Sequence, residues 1–156
     1  WAVVCYLLQI KDRHNGNILL HRSGSIIHID FGFLLSYSPG GNINFESAPF
    51  KLTGEHVALM GGVRSVHFAR FRELVVKGFR AARRPSDTIV ALVQLTLEGA
   101  GRDLPCFVAG ADAVDALRAR FQTSLSRWQC ARFIDDMINT SIDHWTTTCY
   151  DRYQRC

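Results

Sequence analysis

The strongest constraint on the fold is a single tight hairpin followed by a long series of helical patterns. Residues 18–21 (Ile18, Leu19, Leu20, His21) and 26–30 (Ile26, Ile27, His28, Ile29, Asp30) read as two short strands, because β-prone runs flank a turn signal. That turn is Arg22-Ser23-Gly24, where glycine can take a positive φ. In the second strand Ile27 and Ile29 share one face while His28 and Asp30 share the other. Asp30-Phe31-Gly32 ends it. Residues 2–10 are apolar but too short for periodicity to choose between a buried helix and a buried strand.

From residue 53 the spacing turns helical. Thr53 to Met60 reads as a short helix stopped by Gly61-Gly62. Over 65–84, Phe68, Phe71, Val75, Phe79 and Ala82 recur at steps of three and four, the mark of an amphipathic helix, which Pro85 stops. Ser86 and Asp87 then cap a helix carrying Ile89, Val90, Leu92, Val93, Leu95 and Leu97. It is apolar nearly all round and is therefore expected to be central, with Gly99 and Gly101 at its end. Residues 111–121 place Asp112 and Asp115 early and Arg118 and Arg120 late, matching the helix dipole. Ser126 starts a helix through Cys130, Phe133, Ile134, Met137 and Ile138, and the tail reads as a last helix over 146–156. The expected class is α+β: mostly helical, with one small β-hairpin. Residues 33–50 show no clear period, and structureless segments of that length are usually functional.

Composition narrows the class. With 156 residues, 47% of them hydrophobic and 21% charged, the chain is the size of one domain or one lobe of a larger one and is not a disordered tail. Its longest apolar run, Trp1 to Leu8, is far short of the roughly 20 residues of a membrane span. The chain opens inside that run without an initiator Met, which reads as a piece of something longer. The net charge of +4 favours anionic partners without naming one. The Arg residues are scattered along helices and read as a solvated surface, and no dense basic stripe suggests nucleic acid. The five cysteines are Cys5, Cys106, Cys130, Cys149 and Cys156. Their wide spacing and odd number argue against a disulfide framework or a zinc site and suggest a reducing, cytosolic setting.

The residues with chemistry lie around the hairpin. Asp12-Arg13-His14-Asn15-Gly16-Asn17 sits on a glycine-containing loop just before the first strand, and Asp30-Phe31-Gly32 follows the second. A hairpin joining Asn17 to Asp30 brings two oxygen donors side by side, and Mg²⁺ is a hard cation that takes oxygen ligands together with waters and phosphates. Protein kinases use the same order: an Asp, four intervening residues, an Asn, and a later Asp-Phe-Gly. Phosphoryl transfer is mostly positioning and charge neutralisation, so a carboxylate near the attacking hydroxyl and two metal-bound oxygens form a sensible minimum. The bland alternative is that Asp12 and Asn17 cap turns and Asp30 ends a strand.

The stretch from Leu8 to Leu20 around Asp12-Arg13-His14-Asn15-Gly16-Asn17, and Ile26-Ile27-His28-Ile29-Asp30-Phe31-Gly32-Phe33, resemble the phosphatidylinositol 3-/4-kinases. In that family the His-Arg-Asp order of protein kinases becomes Asp-Arg-His, as here. Phe50-Lys51-Leu52-Thr53, Met60-Gly61-Gly62, Leu104-Pro105-Cys106-Phe107 and Tyr150-Asp151 look most like the type III phosphatidylinositol 4-kinases.

The resemblance implies a protein-kinase-like C-terminal lobe. Its catalytic loop would span 10–18, its activation loop 30–51, its helical bundle 53–145 and its tail helix 146–156. It implies that Asp12 or His14 serves as base, that Asn17 and Asp30 hold Mg²⁺ (or Mn²⁺) on ATP, and that Leu19 and Ile29 line the adenine pocket, a role compatible with ordinary strand packing. The substrate it implies is phosphatidylinositol in a membrane. The protein would be cytoplasmic and bind intracellular or plasma membranes peripherally.

The activation loop selects the headgroup in that family. From Phe31 to Phe50 there is no Lys or Arg, and a loop without basic residues suits an inositol ring bearing no extra phosphates. Lys51 is a candidate for the single lipid phosphate, with a solvated lysine as the alternative. Phe33, Leu34, Leu35, Tyr37, Phe45 and Phe50, and in the tail Trp145, Tyr150 and Tyr153, either meet the bilayer or tuck into the lobe. Arg152 and Arg155 would suit an anionic interface. No phosphate-covering loop or strand lysine of an upper lobe is legible, so the chain alone is expected to be inactive. The expected reaction is phosphorylation of phosphatidylinositol at the 4-hydroxyl. The alternatives are a class III-type phosphatidylinositol 3-kinase, a related protein kinase, or a silent pseudokinase-like module, the last disfavoured because Asp12, His14, Asn17 and Asp30 are all present. The segment Ser38-Pro39-Gly40-Gly41-Asn42 looks like the alpha form and Phe45 to Lys51 closer to the beta form.

Overall fold

The structure, a computed structural model, describes residues 1–40, 46–99 and 103–154. Gly41, Asn42, Phe45, Gly101, Arg155 and Cys156, each invoked above, lie outside the described residues.

The leading apolar run is a helix, α1 (Ala2–Leu8). Its valines are poor helix formers, and packing outweighs that preference: Cys5 and Leu7 are buried, and the helix lies against the two helices described below as α3 and α5. Gln9 ends it in a left-handed conformation at φ 50°. The hairpin follows as β1 (Ile18–Leu20) and β2 (Ile26–His28), antiparallel, with Ile18 opposite His28, Leu19 opposite Ile27 and Leu20 opposite Ile26. Gly24 turns the chain at φ 81°. The strands are shorter than their sequence runs. His21 is drawn into the turn, its N–H donating to the Ser25 carbonyl at 2.9 Å, and Asp30 at φ 55° bends the chain away after Ile29.

Six α-helices follow among the described residues. Helix α2 (Gly54–Leu59) carries a capping box in which the Thr53 hydroxyl accepts from the His56 N–H and the His56 ring accepts from the Thr53 N–H. Gly61 closes the turn behind it at φ 83°. Helix α3 (Val66–Arg83), capped by Ser65, buries Phe68, Val75 and Phe79. Helices α4 (Ser86–Gly99), α5 (Ala111–Arg120), α6 (Arg127–Ser141) and α7 (Trp145–Tyr153) complete the bundle. The core forms where α3 meets α6 and α1 meets α5, around Phe68, Phe79, Leu117, Phe121, Ile134 and Ile138, all fully buried. Burying each such side chain contributes roughly 1.5–3 kcal/mol.

Two expectations need correction. Helix α4 is not central: Leu92 is 60% exposed and Leu95 63%, because the helix packs chiefly on α5 and only the stripe through Ile89, Val90, Val93 and Leu97 reaches the core. The arginines are not uniformly solvated either. Arg83 donates to the carbonyls of Gln122, Thr123 and Leu125 at 2.8–2.9 Å, and Arg120 Nε donates to the Leu7 carbonyl at 2.7 Å. Both lie where a helix end meets chain that offers free carbonyls, a use of arginine that composition cannot show.

Among the described residues no helix is long and apolar enough to cross a membrane. Residues 50–53 are anchored at the junction of α6 and α7, where Leu52 pairs with Ile142 in a parallel bridge and accepts from the Asp143 N–H at 2.8 Å. That anchor fixes both flanks of the candidate site to the bundle.

Candidate active site

The loop 11–17 begins at the end of α1 and enters β1. Asp12 stands in a left-handed conformation at φ 64°, uncommon for a residue with a side chain. Its N–H donates to the Glu46 carboxylate, and the Arg13 N–H reaches the same carboxylate at 3.2 Å. Arg13 is buried and spreads its guanidinium over three carbonyls: Lys11 at 2.8 Å, Ile29 at 2.9 Å and Asp30. It also stacks over the Phe31 ring at 5.6 Å. A single planar donor fork thus ties the loop before β1 to the residues after β2.

His14 caps the 3₁₀ turn Asn15–Asn17, its Nδ1 accepting from the Gly16 N–H at 3.1 Å. A Cβ at Gly16 would stand 2.9 Å from the His14 ring, which explains the glycine. Asn17 is buried, and its Nδ2 donates to the Asp12 carbonyl at 2.9 Å and to Asp12 Oδ2 at 3.0 Å. The other carboxylate oxygen of Asp12 accepts from the Tyr150 hydroxyl and lies 3.9 Å from His14 Nε2. The Ile29 N–H donates to the Asn17 carbonyl at 3.1 Å, so Asn17 lies beside Ile29, one residue from Asp30. Asp30 Oδ1 accepts from the Gly32 N–H at 3.2 Å.

The four polar residues read from the sequence therefore surround one hairpin mouth, with Asp12, His14 and Asn17 linked directly and Asp30 joined through Arg13. Among the described residues no three His, Cys, Asp or Glu side chains form a metal cluster. The donor pair at issue, an amide and a carboxylate, is of a different kind. Leu19 and Ile29 stand on the open face of the hairpin, 47% and 38% exposed, and neither is core packing.

Lys51 is not solvated. Its side chain is 3% exposed, and its ammonium meets Asp151 at 2.6 Å and Asn15 Oδ1 at 2.8 Å. Asp151 Oδ1 also accepts from the Asn15 N–H at 2.9 Å. Helix α7 thus grips the loop through Tyr150 and Asp151 together. Burial and the bond to Asp12 hold the Tyr150 hydroxyl well above its ordinary pKa, which keeps it protonated as a donor. Burial, reinforced by the Arg13 charge, lowers His28 to about 4. His28 stacks under Trp1 at 4.2 Å.

Residues 1–108 match the family described as phosphatidylinositol 3- and 4-kinase. The chain belongs to that family. It is 48% identical over 154 residues to a phosphatidylinositol 4-kinase of Dictyostelium discoideum, covering 99% of this chain and 13% of the relative. It is 49% identical over 159 residues to phosphatidylinositol 4-kinase beta 1 of Arabidopsis thaliana, covering 99% and 14%. Against phosphatidylinositol 4-kinase beta of Rattus norvegicus it is 44% identical over 154 residues, covering 99% and 18%. The chain thus spans less than a fifth of the length of these relatives, and the resemblance to type III phosphatidylinositol 4-kinases holds along nearly all of it.

For this kinase-family chain, sequence reasoning missed what supports the motif residues. Arg13 was legible only as a motif letter. Glu46 and Asp151 lie at separations with no local signal, although Tyr150-Asp151 did stand out by resemblance. The loop and tail aromatics divide between their two readings. Phe50 is buried against Phe71, Leu34 packs on the core, Phe33 stacks on Tyr37 at 5.0 Å and Tyr150 turns inward to Asp12, whereas Trp145 and Tyr153 are exposed. A cavity of about 540 Å³ between α4 and α5 is lined by Leu97, Phe107 and Val114 among others, and these three are not site residues.

Proposed function

We propose that this chain supplies the catalytic loop and metal-holding loop of an enzyme that phosphorylates phosphatidylinositol at its 4-hydroxyl, with ATP as donor. The lobe is protein-kinase-like in this reading, and the nucleotide's roof belongs to another part of the protein. The relatives named beta and the absence of Lys and Arg from Phe31 to Phe50 support plain phosphatidylinositol as substrate. The protein then works from the cytoplasm as a peripheral visitor to intracellular or plasma membranes, with Trp145 and Tyr153 as the exposed tail aromatics suited to the lipid interface.

One observation carries the reading: the Ile29 N–H donates to the Asn17 carbonyl, so the two segments proposed to hold the metal lie side by side. Asn17 spends its amide nitrogen on Asp12, leaving Oδ1 as the atom to face an ion, with the Asp30 carboxylate as the second donor. These two hard oxygens would hold Mg²⁺ or Mn²⁺ together with the ATP phosphates. When bound, the ion offsets charge on those phosphates.

Asp12, fixed at both oxygens, orients or deprotonates the inositol hydroxyl, and His14 beside it is the alternative base. Leu19 and Ile29 offer the adenine an apolar face. Lys51 reaches a lipid phosphate only by leaving Asp151, so in this reading it acts first as the bolt between the loop and α7. Incubating the full-length protein with radiolabelled ATP and phosphatidylinositol vesicles tests the assignment. Phosphatidylinositol 4-phosphate is the expected product, and the 3-phosphate or no lipid product would overturn it.

A further inference from the structure

We propose that Glu46 is a positioning residue for Asp12, fixing the backbone on which the candidate base stands and tying the end of the 30–51 segment to the reacting centre. The inference rests on the kinase reading above and concerns a residue that reading does not use. Two consecutive N–H groups, those of Asp12 and Arg13, converge on the Glu46 carboxylate. Converging neighbouring N–H groups make an anion-binding nest, and a nest needs a residue in the left-handed region. Asp12 is that residue, at φ 64°. The carboxylate and the unusual backbone therefore explain each other.

The preceding residue is held as well, because Lys11 Nζ donates to the Glu46 carbonyl at 2.7 Å. Three successive residues of the loop thus donate hydrogen bonds to one residue more than thirty positions away. Burial lowers the Lys11 pKa, and the Glu46 charge opposes that shift. With its oxygens turned onto backbone donors, Glu46 is no rival to Asn17 and Asp30 as an ion ligand. Its effect must pass through the backbone to the Asp12 carboxylate, whose oxygens are aimed by Asn17 and Tyr150. Charged acceptors make the stronger hydrogen bonds. A glutamine in this place keeps one acceptor oxygen and opposes an amide N–H to the other donor.

The test uses the full-length protein with Mg·ATP and phosphatidylinositol vesicles. Glu46→Gln and Glu46→Ala are assayed alone and in combination with Asp12→Asn. The expected loss in kcat is about 10-fold for Glu46→Gln and about 100-fold for Glu46→Ala, the order of magnitude of a displaced catalytic group. KM for ATP should hold within about threefold, as for an interaction made at the transition state. In the Asp12→Asn background Glu46→Gln should cost little more, because residues acting through one group are not additive. Should Glu46→Ala fail to fold, the cycle with Glu46→Gln decides alone.

Wild-type kcat in Glu46→Gln, wild-type turnover in Asp12→Asn, or a kcat loss matched by an equal loss of folded protein would each overturn the inference. Asp30→Asn run alongside separates the two levels. Activity surviving Asp30→Asn sinks the kinase reading itself, whereas its loss together with full additivity of Glu46 and Asp12 sinks only the role of Glu46.

Discussion

Arg13 holds two loops in register with one guanidinium. Its three carbonyl partners come from residue 11 and residues 29–30, and a lysine has no fork to span them. Arg13→Lys should therefore lower unfolding stability by about 2 kcal/mol, the scale of charge-assisted hydrogen bonds left unmade. Urea denaturation of the two chains checks this, and equal midpoints would contradict it. His28 gives the same region a pH dependence. Folded, it stays neutral down to about 4, while the unfolded chain takes up a proton near 6.5. Below 6.5 the unfolded state binds more protons, so the stability is fully present above that pH and is lost as pH falls toward 4. The gap is at most about 3 kcal/mol. Stability measured at pH 7 and pH 4 should fall further in the wild type than in His28→Gln, and parallel curves would argue against a buried neutral imidazole.

At the scale of elements, α7 and α4 behave in opposite ways. Helix α7 is bolted to the loop by a lysine that is almost wholly covered, and removing one partner of a buried pair is costly. Asp151→Ala should speed amide exchange along 145–153 by about tenfold or more, while the buried amides of α3 and α6 keep their protection. Unchanged exchange in α7 would show that the pair does not hold it. Helix α4 meets the bundle along one stripe. Leu92→Ala and Leu95→Ala should then stay within about 0.5 kcal/mol of the parent, whereas Leu117→Ala, at a fully buried site, should cost about 2–5 kcal/mol.

The helices were legible because apolar spacing and start signals are local: Thr53 and Ser126 cap the helices whose starts they mark, and Ser65 caps a third. The sequence misjudged α4 because an all-round apolar helix says nothing about how many neighbours arrive to cover it. It left α1 open because Ala2 to Leu8 is too short to show a period. At the candidate site, order and spacing single out Asp12, Asn17 and Asp30, and the family resemblance adds His14. The supporting contacts of Arg13, Glu46, Tyr150 and Asp151 were not legible, since they join residues far apart in the chain.

At the scale of the whole molecule, a helical bundle presents one polar hairpin mouth. Helix α1 leads into the loop from one side, residues 50–53 are pinned beside it, and α7 closes from the other. The exposed apolar residues Leu19, Ile27 and Ile29 stand on the open face next to that mouth, where the proposed nucleotide would lie. The proposed chemistry requires Asn17 and Asp30 to share one ion. The most direct measurement is the rate of lipid phosphorylation by the full-length protein across a Mg²⁺ titration, for the wild type, Asn17→Ala and Asp30→Asn. Turnover should be lower by about 10²-fold or more in both variants, with folding intact by thermal melting. Turnover within about threefold of wild type in Asp30→Asn at saturating Mg²⁺ would contradict it.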